Sequence, residues 1–572
     1  MRVTFDSAVL KVGRAALVSL AATFCLAGLG HAQSAPEAGT LLQQIEKQKQ
    51  PALPPKAGPL FAPPAVLESL GGATVVVTEF RFAGNTRLTN AQLASAVAGF
   101  KGRPLNFAEL QSAAIAVATT YRKAGWVVRA YLPKQDVTGG TVTIQIVEAK
   151  FGAVRVEGTT LMSASRLTRI VDSAQPPGTA LNAQALDRGL LLINDLPGIK
   201  AEGRLAEGQS EGETDLVLQV GDGKEVTGDV DTDNAGARST GLNRVIADVS
   251  VNSLFGLGDR IDAMLLHSLG SDYERTAYSQ PIGSDGLRVG VNASHLTYHV
   301  VTAALAALDA RGTSTTAGAE ATYPLWRDRL QNLYVSFTVD DKRFDNKSSG
   351  AITSAYSVRT AGLGLYGNLF DQFRGGGANS ASLTVEEGNV DLGDSPNEAA
   401  DGATTNTNGG FRKLHFSASR QQTITEQFSL YAALSGQLTN KNIDSSEKFY
   451  LGGSSAVRAY PANEGGGSEG AMLNFEARER LPANFNLIGF FDVGTVEVNK
   501  DNDITGAAHP NTDSLKGVGF TVGWTAHMGL AVTASYARRI GHNPDPTSTG
   551  TDQDGSLDLN RIWLQASVPF SF

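Results

Sequence analysis

Apolar and polar residues alternate with a period of two through most of the chain beyond Gly221. One segment shows apolar residues at every second position, namely Leu333, Val335, Phe337 and Val339. The C-terminal segment shows the pattern most clearly, with apolar residues at Ile562, Leu564, Ala566, Val568, Phe570 and Phe572. Each segment therefore has one apolar and one polar face, which is typical of β-strands that separate two environments.

The length of this region predicts a large antiparallel β-barrel. Residues 222–572, at about 20 to 24 residues per strand and loop, give roughly 14 to 18 strands, and we expect sixteen. Mean hydropathy is only −0.12, but a membrane barrel hides its apolar face because outward and inward residues average out. A soluble β-sandwich would also alternate. The length of the region and the export signal described below favour the barrel.

Two copies of a strand-helix-helix-strand-strand (βααββ) unit are predicted at residues 75–149 and 150–221. In the first copy a strand at 75–82 precedes helices capped by Thr89 and Asn106, and in the second Asn182 caps a helix. Two helices on a three-stranded sheet leave a sheet edge unpaired. Such an edge accepts an extended peptide as an additional strand, with little dependence on its sequence.

The first 32 residues are typical of a secretory signal peptide, with basic residues, an apolar run and a small-residue site that ends at Ala32. An uncleaved anchor is the alternative, but the apolar run is short for a membrane span. The single cysteine, Cys25, lies in this segment. The mature chain is therefore expected to have no disulfide and no thiolate metal site.

Residues 33–50 are predicted to contain a short helix, from Thr40 to Lys49, with Leu41, Leu42 and Ile45 on one face. A helix of this length is marginal in isolation, so it must dock elsewhere to be stable. The following segment, residues 51–74, is predicted to be an extended linker because six prolines fall between positions 51 and 64.

Composition argues against several classes of function. The net charge is −9 with both signs interspersed, so nucleic-acid binding is not expected. The histidines are scattered, and even His295 and His299 fall in a predicted strand rather than on one helix turn. The glycines form no phosphate-binding motif. We therefore predict neither an enzyme nor a bound cofactor or metal.

Several local motifs, in their order along the chain, resemble one family. They are Tyr121 to Trp126 with Tyr131 to Gln135, Leu191 to Gly198, Asp233 to Gly241, and Gly256 to Asp259. With the preceding helix, the proline linker and a barrel that ends on an aromatic residue, the whole mature chain resembles the two-partner secretion transporters of the TpsB/FhaC/ShlB type. In that family the βααββ units are POTRA domains.

The resemblance implies a fold and a function. The fold would be an outer-membrane barrel of about sixteen antiparallel strands with two periplasmic POTRA domains and an N-terminal plug helix. The protein would export an unfolded exoprotein partner of the TpsA type, such as a haemolysin, haemagglutinin or adhesin, without ATP. Outer-membrane lipid and the barrel-assembly machinery are further expected partners, with Phe570 and Phe572 as the C-terminal assembly signal. A monomer is expected.

The family also implies a lumenal anchor. Gly452 to Pro461 resembles the tip of a loop that folds into the barrel, and Phe491 to Gly494 resembles the strand element that receives it. We expect Arg458 to pair with Asp492, with Tyr460 and Gly494 beside them. An arginine in a glycine-rich loop, taken alone, is more often a solvated surface residue. Ala459 stands where glycine is usual in the family, and would be strained at a position that needs a positive φ.

Three alternatives remain open from the sequence. A related insertase that folds other barrels would share the POTRA and barrel regions, although two modules and a separate N-terminal helix favour secretion. A general porin would leave residues 75–221 without a role. A soluble adhesin or sandwich protein would not need lipid.

Overall fold

The computed structural model describes residues 36–46, 53–56, 74–210, 212–504, 510–544, 546–547 and 550–572. The predicted signal peptide and most of the predicted linker lie outside these described residues. The first described element is helix α1, Ala38–Glu46. It begins two residues earlier than the predicted helix, and residues 47–50 lie outside the description.

The first βααββ module (first module) contains three helices or turns and five strands. They are β1 (Val75–Val76), β2 (Glu79–Ala83), α2 (Asn90–Ala96), a 3₁₀ turn (Ala98–Phe100), β3 (Pro104–Leu105), α3 (Phe107–Lys123), β4 (Val128–Tyr131) and β5 (Thr141–Glu148). The sheet order is β2-β5-β4, with β2 parallel and β4 antiparallel to β5. Capping boxes begin both helices, at Thr89 with Gln92 and at Asn106 with Glu109.

The single strand predicted over residues 75–82 is wrong, because the structure has two short strands there. The backbone N–H groups of Thr78 and Glu79 both donate to the carbonyl oxygen of Gly140, at 2.8 and 3.3 Å. This bend separates β1, which pairs with β3, from β2, which pairs with β5. The sequence did not indicate this break because Val75, Val76 and Val77 form a continuous β-branched run.

The second βααββ module (second module) repeats the arrangement. It consists of β6 (Lys150–Gly158), α4 (Ala164–Ala174), α5 (Ala183–Asn194), β7 (Ile199–Glu207) and β8 (Glu213–Asp222), with β8 between β6 and β7. Asn182 caps α5 by accepting the backbone N–H groups of Gln184 and Ala185. Its core is formed by both helices against the sheet, including Leu167, Ile170 and Leu190.

Backbone hydrogen bonds join the two modules. The N–H of Val127 donates to the carbonyl of Leu181, the N–H of Leu181 donates to Ala149, and the N–H of Ala183 donates to Gly125. Gly125 has φ +86°, a left-handed conformation that favours glycine. The modules are thus connected by several main-chain bonds rather than by one flexible linker.

The barrel is closed and has sixteen antiparallel strands, which confirms the predicted fold and strand count. The first eleven strands are β9 (Val226–Asp233), β10 (Arg244–Asn252), β11 (Arg260–Ser268), β12 (Ser271–Ile282), β13 (Leu287–His299), β14 (Arg311–Arg327), β15 (Gln331–Ser348), β16 (Ala351–Asp371), β17 (Gly377–Asp391), β18 (Gly409–Thr423) and β19 (Phe428–Thr439). A short antiparallel pair, β20 (Phe449–Tyr450) and β21 (Gly466–Gly467), forms a separate sheet that is not part of the barrel wall. The last five wall strands are β22 (Glu469–Leu481), β23 (Phe485–Glu497), β24 (Thr512–Thr525), β25 (Ala531–Arg539) and β26 (Asn560–Ser571).

Loop elements complete the described structure. They are 3₁₀ turns at Ala303–Leu308 and Phe373–Gly375 and helix α6 (Glu398–Ala403). No helix in the described residues is long and apolar enough to cross a membrane. The wall itself follows the predicted alternation: Leu333 and Phe337 are 41% and 49% exposed on the outward face, and Asp492 is fully buried next to the outward Phe491.

The barrel closes between its first and last strands, because β26 pairs with β9 from Gln565 to Ser571. The seam extends to the last residue, since the N–H of Phe572 donates to the carbonyl of Val226 at 2.9 Å. Both termini of the barrel thus lie at one end, which also carries the modules. We call this the module end and the opposite one the far end.

The second module is fixed to the module end of the barrel by two ion pairs. Arg327, at the end of β14, contacts both carboxylate oxygens of Asp195, at 2.8 and 2.7 Å. Arg329 contacts both carboxylate oxygens of Asp187 on α5. Bidentate arginine–carboxylate pairs define orientation as well as distance. The motif from Leu191 to Gly198, which contains Asp195, therefore forms part of this attachment.

Glu148 stabilises the first module at the end of β5. Its carboxylate accepts the N–H groups of Thr86 and Arg87, at 2.7 and 2.9 Å, and the hydroxyls of Thr86 and the buried Tyr121. Partial burial disfavours the charged carboxylate, but the hydrogen bonds from Thr86, Arg87 and Tyr121 outweigh it and lower the pKa of Glu148.

We expect acid to loosen this corner of the first module. Since the folded pKa is depressed, the stabilisation is present above the unfolded pKa and is lost as the pH falls through the folded pKa. Glu148→Gln should cost about 1–3 kcal/mol at neutral pH and abolish this acid dependence. Amide hydrogen exchange at residues 86 and 87 of the full chain, measured from pH 7 downward, tests the expectation. An unchanged pH profile in the variant would contradict it.

Candidate functional site

In the described part of the chain, two elements within the lumen form the candidate site. One is helix α1, and the other is the segment between β19 and β22, residues 440–468, which we call the lumenal loop. Most of its residues between 449 and 461 are buried, and Tyr460 is fully buried. The apolar part of the loop packs on inward-facing wall residues such as Met472, Phe490 and Leu515. The loop thus lies against the inner wall instead of projecting into solvent.

The tip of the lumenal loop runs along one row of wall residues on four adjacent strands. The strand register aligns Asn474, Asp492, Gly517 and Arg539 across β22, β23, β24 and β25. Each member of this row contacts a successive part of the tip. The contacts are the Asn474 amide with the Ala456 carbonyl, Asp492 with Arg458, Gly517 with Ala459, and the Arg539 guanidinium with the Tyr460 ring.

Arg458 makes the expected pair with Asp492. Its Nε and Nη2 donate to the two carboxylate oxygens at 2.8 and 2.7 Å, and its backbone N–H donates to the same carboxylate at 3.1 Å. The guanidinium is 3.5 Å from the centroid of the Phe490 ring, and the indole of Trp563 donates to the Arg458 carbonyl. The side chain is therefore held on several sides.

A second carboxylate extends this pair into a neutral network. Arg458 Nη1 donates to Glu476 at 2.9 Å, and Glu476 also accepts from Arg478 at 2.7 Å. The charges along the chain of contacts alternate from Arg478 through Glu476 and Arg458 to Asp492. Two positive and two negative groups cancel, which limits the electrostatic penalty of burying Arg458, Glu476 and Asp492 together.

Ala459 is not strained. The loop residues with positive φ are Gly453, Asn463 and Gly465, and Ala459 is not among them. A Cβ added at Gly517 would lie 2.6 Å from the Ala459 Cβ, so the wall glycine provides the space that the alanine methyl occupies. The concern that alanine strains this position is wrong, because the small residue required for close approach is on the wall.

Gly494 has the same role at the base of the loop. A Cβ at Gly494 would lie 2.5 Å from Leu451 Cδ2, well inside van der Waals contact. Leu451 is fully buried. Gly494 therefore permits the loop backbone to approach β23.

An ion cluster fastens an earlier part of the lumenal loop to a neighbouring sector of the wall. Glu447 contacts Lys342 on β15 at 2.9 Å and Lys413 on β18, and Lys413 also contacts Glu386 on β17 at 3.0 Å. Glu447 is 1% exposed. The loop is thus tied by charge at Glu447 to β15 and β18 and at Arg458 to β22 and β23, two sectors of the wall with β19 between them.

Helix α1 packs its apolar face on the wall. Leu41, Leu42 and Ile45 are at most 5% exposed and belong to a cluster with inward side chains of several strands. The wall members of that cluster include Ile246, Leu266, Tyr273, Leu296, Phe344, Val358, Val390 and Phe411. The three residues predicted from the sequence thus form the buried face of the helix.

The polar face of α1 contacts the lumenal loop. A Cβ at Gly39 would lie 2.9 Å from the Cβ of Ser446, so the glycine permits the helix to approach the loop. The Ser445 hydroxyl donates to Glu37 at 2.7 Å, Gln43 donates to the Lys448 carbonyl, and Asn463 donates to Gln44 at 3.3 Å. The helix therefore rests between the wall and the loop.

The direction of α1 follows from two wall contacts. The N–H of Ala38 donates at 2.9 Å to Asn346, near the far end of β15. The Asn368 amide donates at 2.8 Å to the carbonyl of Pro54, and Asn368 is near the module end of β16. The helix thus begins near the far end, and the chain returns towards the modules.

The sequence missed several partners of the site. Glu476 and Asn474 lie on the inward-facing side of β22, which the alternation along the strand could have predicted. Their contacts with the loop tip and with Asp492 depend on the register between strands, which the sequence does not indicate. The contacts of Glu447 join strands far apart in the chain, and no local pattern indicates them. The predicted residues Phe570 and Phe572 stack on each other at 5.9 Å at the seam, far in the chain from the loop anchor.

Removing the guanidinium should release the loop tip. Arg458→Ala leaves the fully buried Asp492 without its counter-ion, and we expect a loss of about 3–5 kcal/mol. Arg458→Lys should retain only part of the stability that Arg458→Ala loses, because an ammonium cannot reproduce the bidentate contact. Denaturant unfolding of the barrel and limited proteolysis of the lumenal loop measure the two effects.

Arg412 provides a matched control. Its pair with Glu387 is exposed, with 71% and 69% of the two side chains accessible. Arg412→Ala should change stability by about 0–1 kcal/mol and leave proteolysis unchanged. Equal losses for the two alanine variants would refute the anchor role of Arg458.

Known proteins resemble this chain along most of its length. The sequence model of the family described as haemolysin secretion/activation protein ShlB/FhaC/HecB matches residues 212–524, and that of the ShlB-type POTRA domain matches residues 75–149. The heme/hemopexin transporter protein HuxB of Haemophilus influenzae strain 86-028NP is 26% identical over 554 residues, or 94% of this chain and 95% of HuxB. The outer membrane transporter CdiB of Dickeya dadantii strain 3937 is 24% identical, over 82% of this chain and 84% of CdiB.

Solved structures share the fold. CdiB from Escherichia coli superposes with a TM-score of 0.69 at 20% identity, over 94% of this chain and 100% of that one. BamA from Haemophilus ducreyi, lacking POTRA domains 1–3, gives 0.52 at 14% identity, over 87% and 100%. The family match covers more than half of the sequence, and the sixteen-stranded barrel with its POTRA region agrees with it. The chain belongs to the ShlB/FhaC/HecB family of haemolysin secretion/activation proteins and is a two-partner secretion transporter of the bacterial outer membrane, with its POTRA region in the periplasm.

Proposed function

We propose that the two modules capture an unfolded exoprotein in the periplasm and that this cargo leaves through the lumen of the same barrel. The observation that carries the proposal is the position of α1. The helix fills the lumen beside the loop, and the described part of the chain after it reaches Asn368 at the periplasmic end. The helix can therefore withdraw towards the periplasm by its own connection, as a plug does.

The kind of contact that holds each element supports an order of events. Helix α1 is nine residues long and is held by three buried apolar side chains, by hydrogen bonds of about 0.5–1.5 kcal/mol each, and by the longer-range attraction of Glu46 to Lys342. The lumenal loop is held by two buried ion clusters, and breaking such a pair costs about 3–5 kcal/mol because it leaves an unpaired buried charge. Since the helix can withdraw along its own connection without breaking a close ion pair, we propose that it leaves first and that the loop shifts afterwards, as cargo passes.

Cargo capture would use the edges of the module sheets. The edge strands are β2 and β4 in the first module and β6 and β7 in the second. Strand addition at such an edge recognises the backbone of an extended chain, which suits an unfolded cargo. Strands β6 and β7 have nine residues each, against five and four for β2 and β4, so the second module has the longer edges.

Transport would proceed without ATP and without catalysis by this chain. The periplasm contains no ATP, and folding of the cargo outside the cell would bias its motion outward because a folded chain cannot return through the lumen. We propose that a TpsA-like exoprotein of the haemolysin, haemagglutinin or adhesin type is the cargo. The name of HuxB refers to heme and hemopexin, and the secretion experiment below identifies the exoprotein of this chain.

The protein is proposed to act as a monomer, because one chain supplies all sixteen strands and both sides of the seam. Insertion into the membrane would depend on the barrel-assembly machinery, which recognises the C-terminal strand that carries Phe570 and Phe572. The domain boundaries proposed from the sequence are compatible with these roles, with β8 ending at Asp222 and β9 beginning at Val226.

Displacing α1 should open the lumen. Gly39→Val would place methyl groups against Ser446, and deletion of residues 34–50 would remove the helix altogether. We expect both variants to raise ion conductance through single barrels in planar bilayers. Gly99→Val is the control, since a Cβ there meets open space. If the deletion leaves conductance unchanged, the plug assignment is wrong.

Loss of the transporter should remove its cargo from the medium. Mass spectrometry of culture-medium proteins from cells with and without this protein should show one large exoprotein missing, and complementation should restore it. Secretion by the Arg458→Ala variant, at matched levels of assembled barrel, should fall below wild type. An unchanged medium together with depleted outer-membrane barrels would instead support an insertase.

A further inference from the structure

Four apolar side chains are exposed where the second module meets the first periplasmic turn of the barrel. They are Leu161, Leu254, Phe255 and Leu257, with exposed fractions of 60%, 49%, 63% and 36%, and we call them the junction patch. Among the described residues of the second module, Leu161 is the one large apolar side chain that is exposed. Solvent-facing groups of this kind mark a surface with a partner.

Close packing fixes the two halves of the junction patch to each other. A Cβ at Gly256 would lie 2.9 Å from the carbonyl oxygen of Leu161, and Gly256 has φ +67°. Gly258 packs equally closely on Met162, whose side chain belongs to the core of the second module. The carboxylate of Asp259, fully buried, accepts the N–H of Leu257 at 3.2 Å and so holds the turn. The patch is therefore one surface with a defined shape.

The junction patch continues the outward surface of the barrel. The ring of Phe255 meets the ring of Tyr278 edge to face, with centroids 6.3 Å apart. Tyr278 stands in an outward row with Val251, Ile261 and Val291, and Val291 is 58% exposed. In a transmembrane barrel this outward row faces lipid, and aromatic residues gather where the wall meets the headgroups. Phe255 thus extends the lipid-facing wall onto the periplasmic side.

We propose that the junction patch inserts into the periplasmic leaflet of the outer membrane, so that the second module rests on lipid as well as on the barrel. Apolar side chains at such a site enter the boundary between headgroups and acyl chains. Acyl chains are the occupant because the patch is continuous with the wall that they already cover.

This contact would complete the fixation of the second module. The ion pairs of Arg327 and Arg329 hold helix α5 to the turn between β14 and β15. The junction patch holds the loop between β6 and α4 beside the turn between β10 and β11. Two separated attachments prevent the module from pivoting about either one, which keeps its sheet edges at a constant angle to the membrane.

Site-specific fluorescence in the full-length protein tests the proposal. In a Cys25→Ser background the introduced thiol is the single one in the chain. Leu161→Cys, labelled with a polarity-sensitive fluorophore, is reconstituted into phosphatidylethanolamine and phosphatidylglycerol vesicles that carry nitroxide groups on the acyl chains. We expect a blue-shifted maximum and the loss of about half of the emission to the nitroxide. Leu254→Cys provides a second reporter in case Leu161→Cys assembles poorly.

Ser173→Cys is the matched control, because Ser173 is exposed near the other end of α4. The emission maximum of its label should remain at the longer wavelength typical of water, and nitroxide lipid should not quench it. Equally weak quenching at positions 161, 254 and 173 would overturn the proposal. A blue shift of the Leu161→Cys label that appears only when the exoprotein is added, without quenching by nitroxide lipid, would also overturn the proposal. It would assign the patch to cargo binding.

Discussion

The buried charge of Arg458 sets the constraint on which the lumenal structure depends. A guanidinium removed from water is stable only when its donors and its charge are all matched. Asp492, Glu476 and the Phe490 ring provide that match, and Arg478 balances the second charge of the two carboxylates. Since the tip contacts one row of wall residues on four strands, a shift by one residue along the strands would break all of these contacts together.

The same matching of charges at Glu447 gives the loop a second attachment, to β15 and β18. Each cluster is neutral, so neither end leaves an uncompensated charge on the wall. Among the described residues, helix α1 makes no ion pair within 4 Å. It depends on Leu41, Leu42 and Ile45, on hydrogen bonds to the loop and to Asn346, and on the attraction of Glu46 to Lys342. The loop is thus held by close ion pairs and the helix chiefly by apolar packing, and the loop supports one side of the helix.

The sequence predicted what depends on local periodicity. The alternation along β23 placed Asp492 inside the barrel, and the cap at Asn182 located α5. Features that depend on register between strands were not accessible: Glu447 reaches Lys342 and Lys413 only after β15 and β18 are brought to one side of the barrel. Whether Ala459 needs a positive φ could not be decided from the sequence, because the space for close approach comes from Gly517, on a strand more than fifty residues later. The division of β1 from β2 was missed because Gly140, which bends the chain at Thr78, is remote in sequence.

The seam joins the first and the sixteenth strands of the wall, β9 and β26. Beyond this pairing, Phe572 donates its N–H to Val226 and accepts the N–H of Glu225. Since β26 is synthesised after the other fifteen wall strands, a nascent chain that still lacks β26 cannot form the closed cylinder. Until then β9 and the most recently made strand both present unpaired edges, which invite aggregation. The wall therefore stays open, with two edges to protect, until its sixteenth strand is in place, and a transporter of unfolded protein is itself an incompletely folded protein until then.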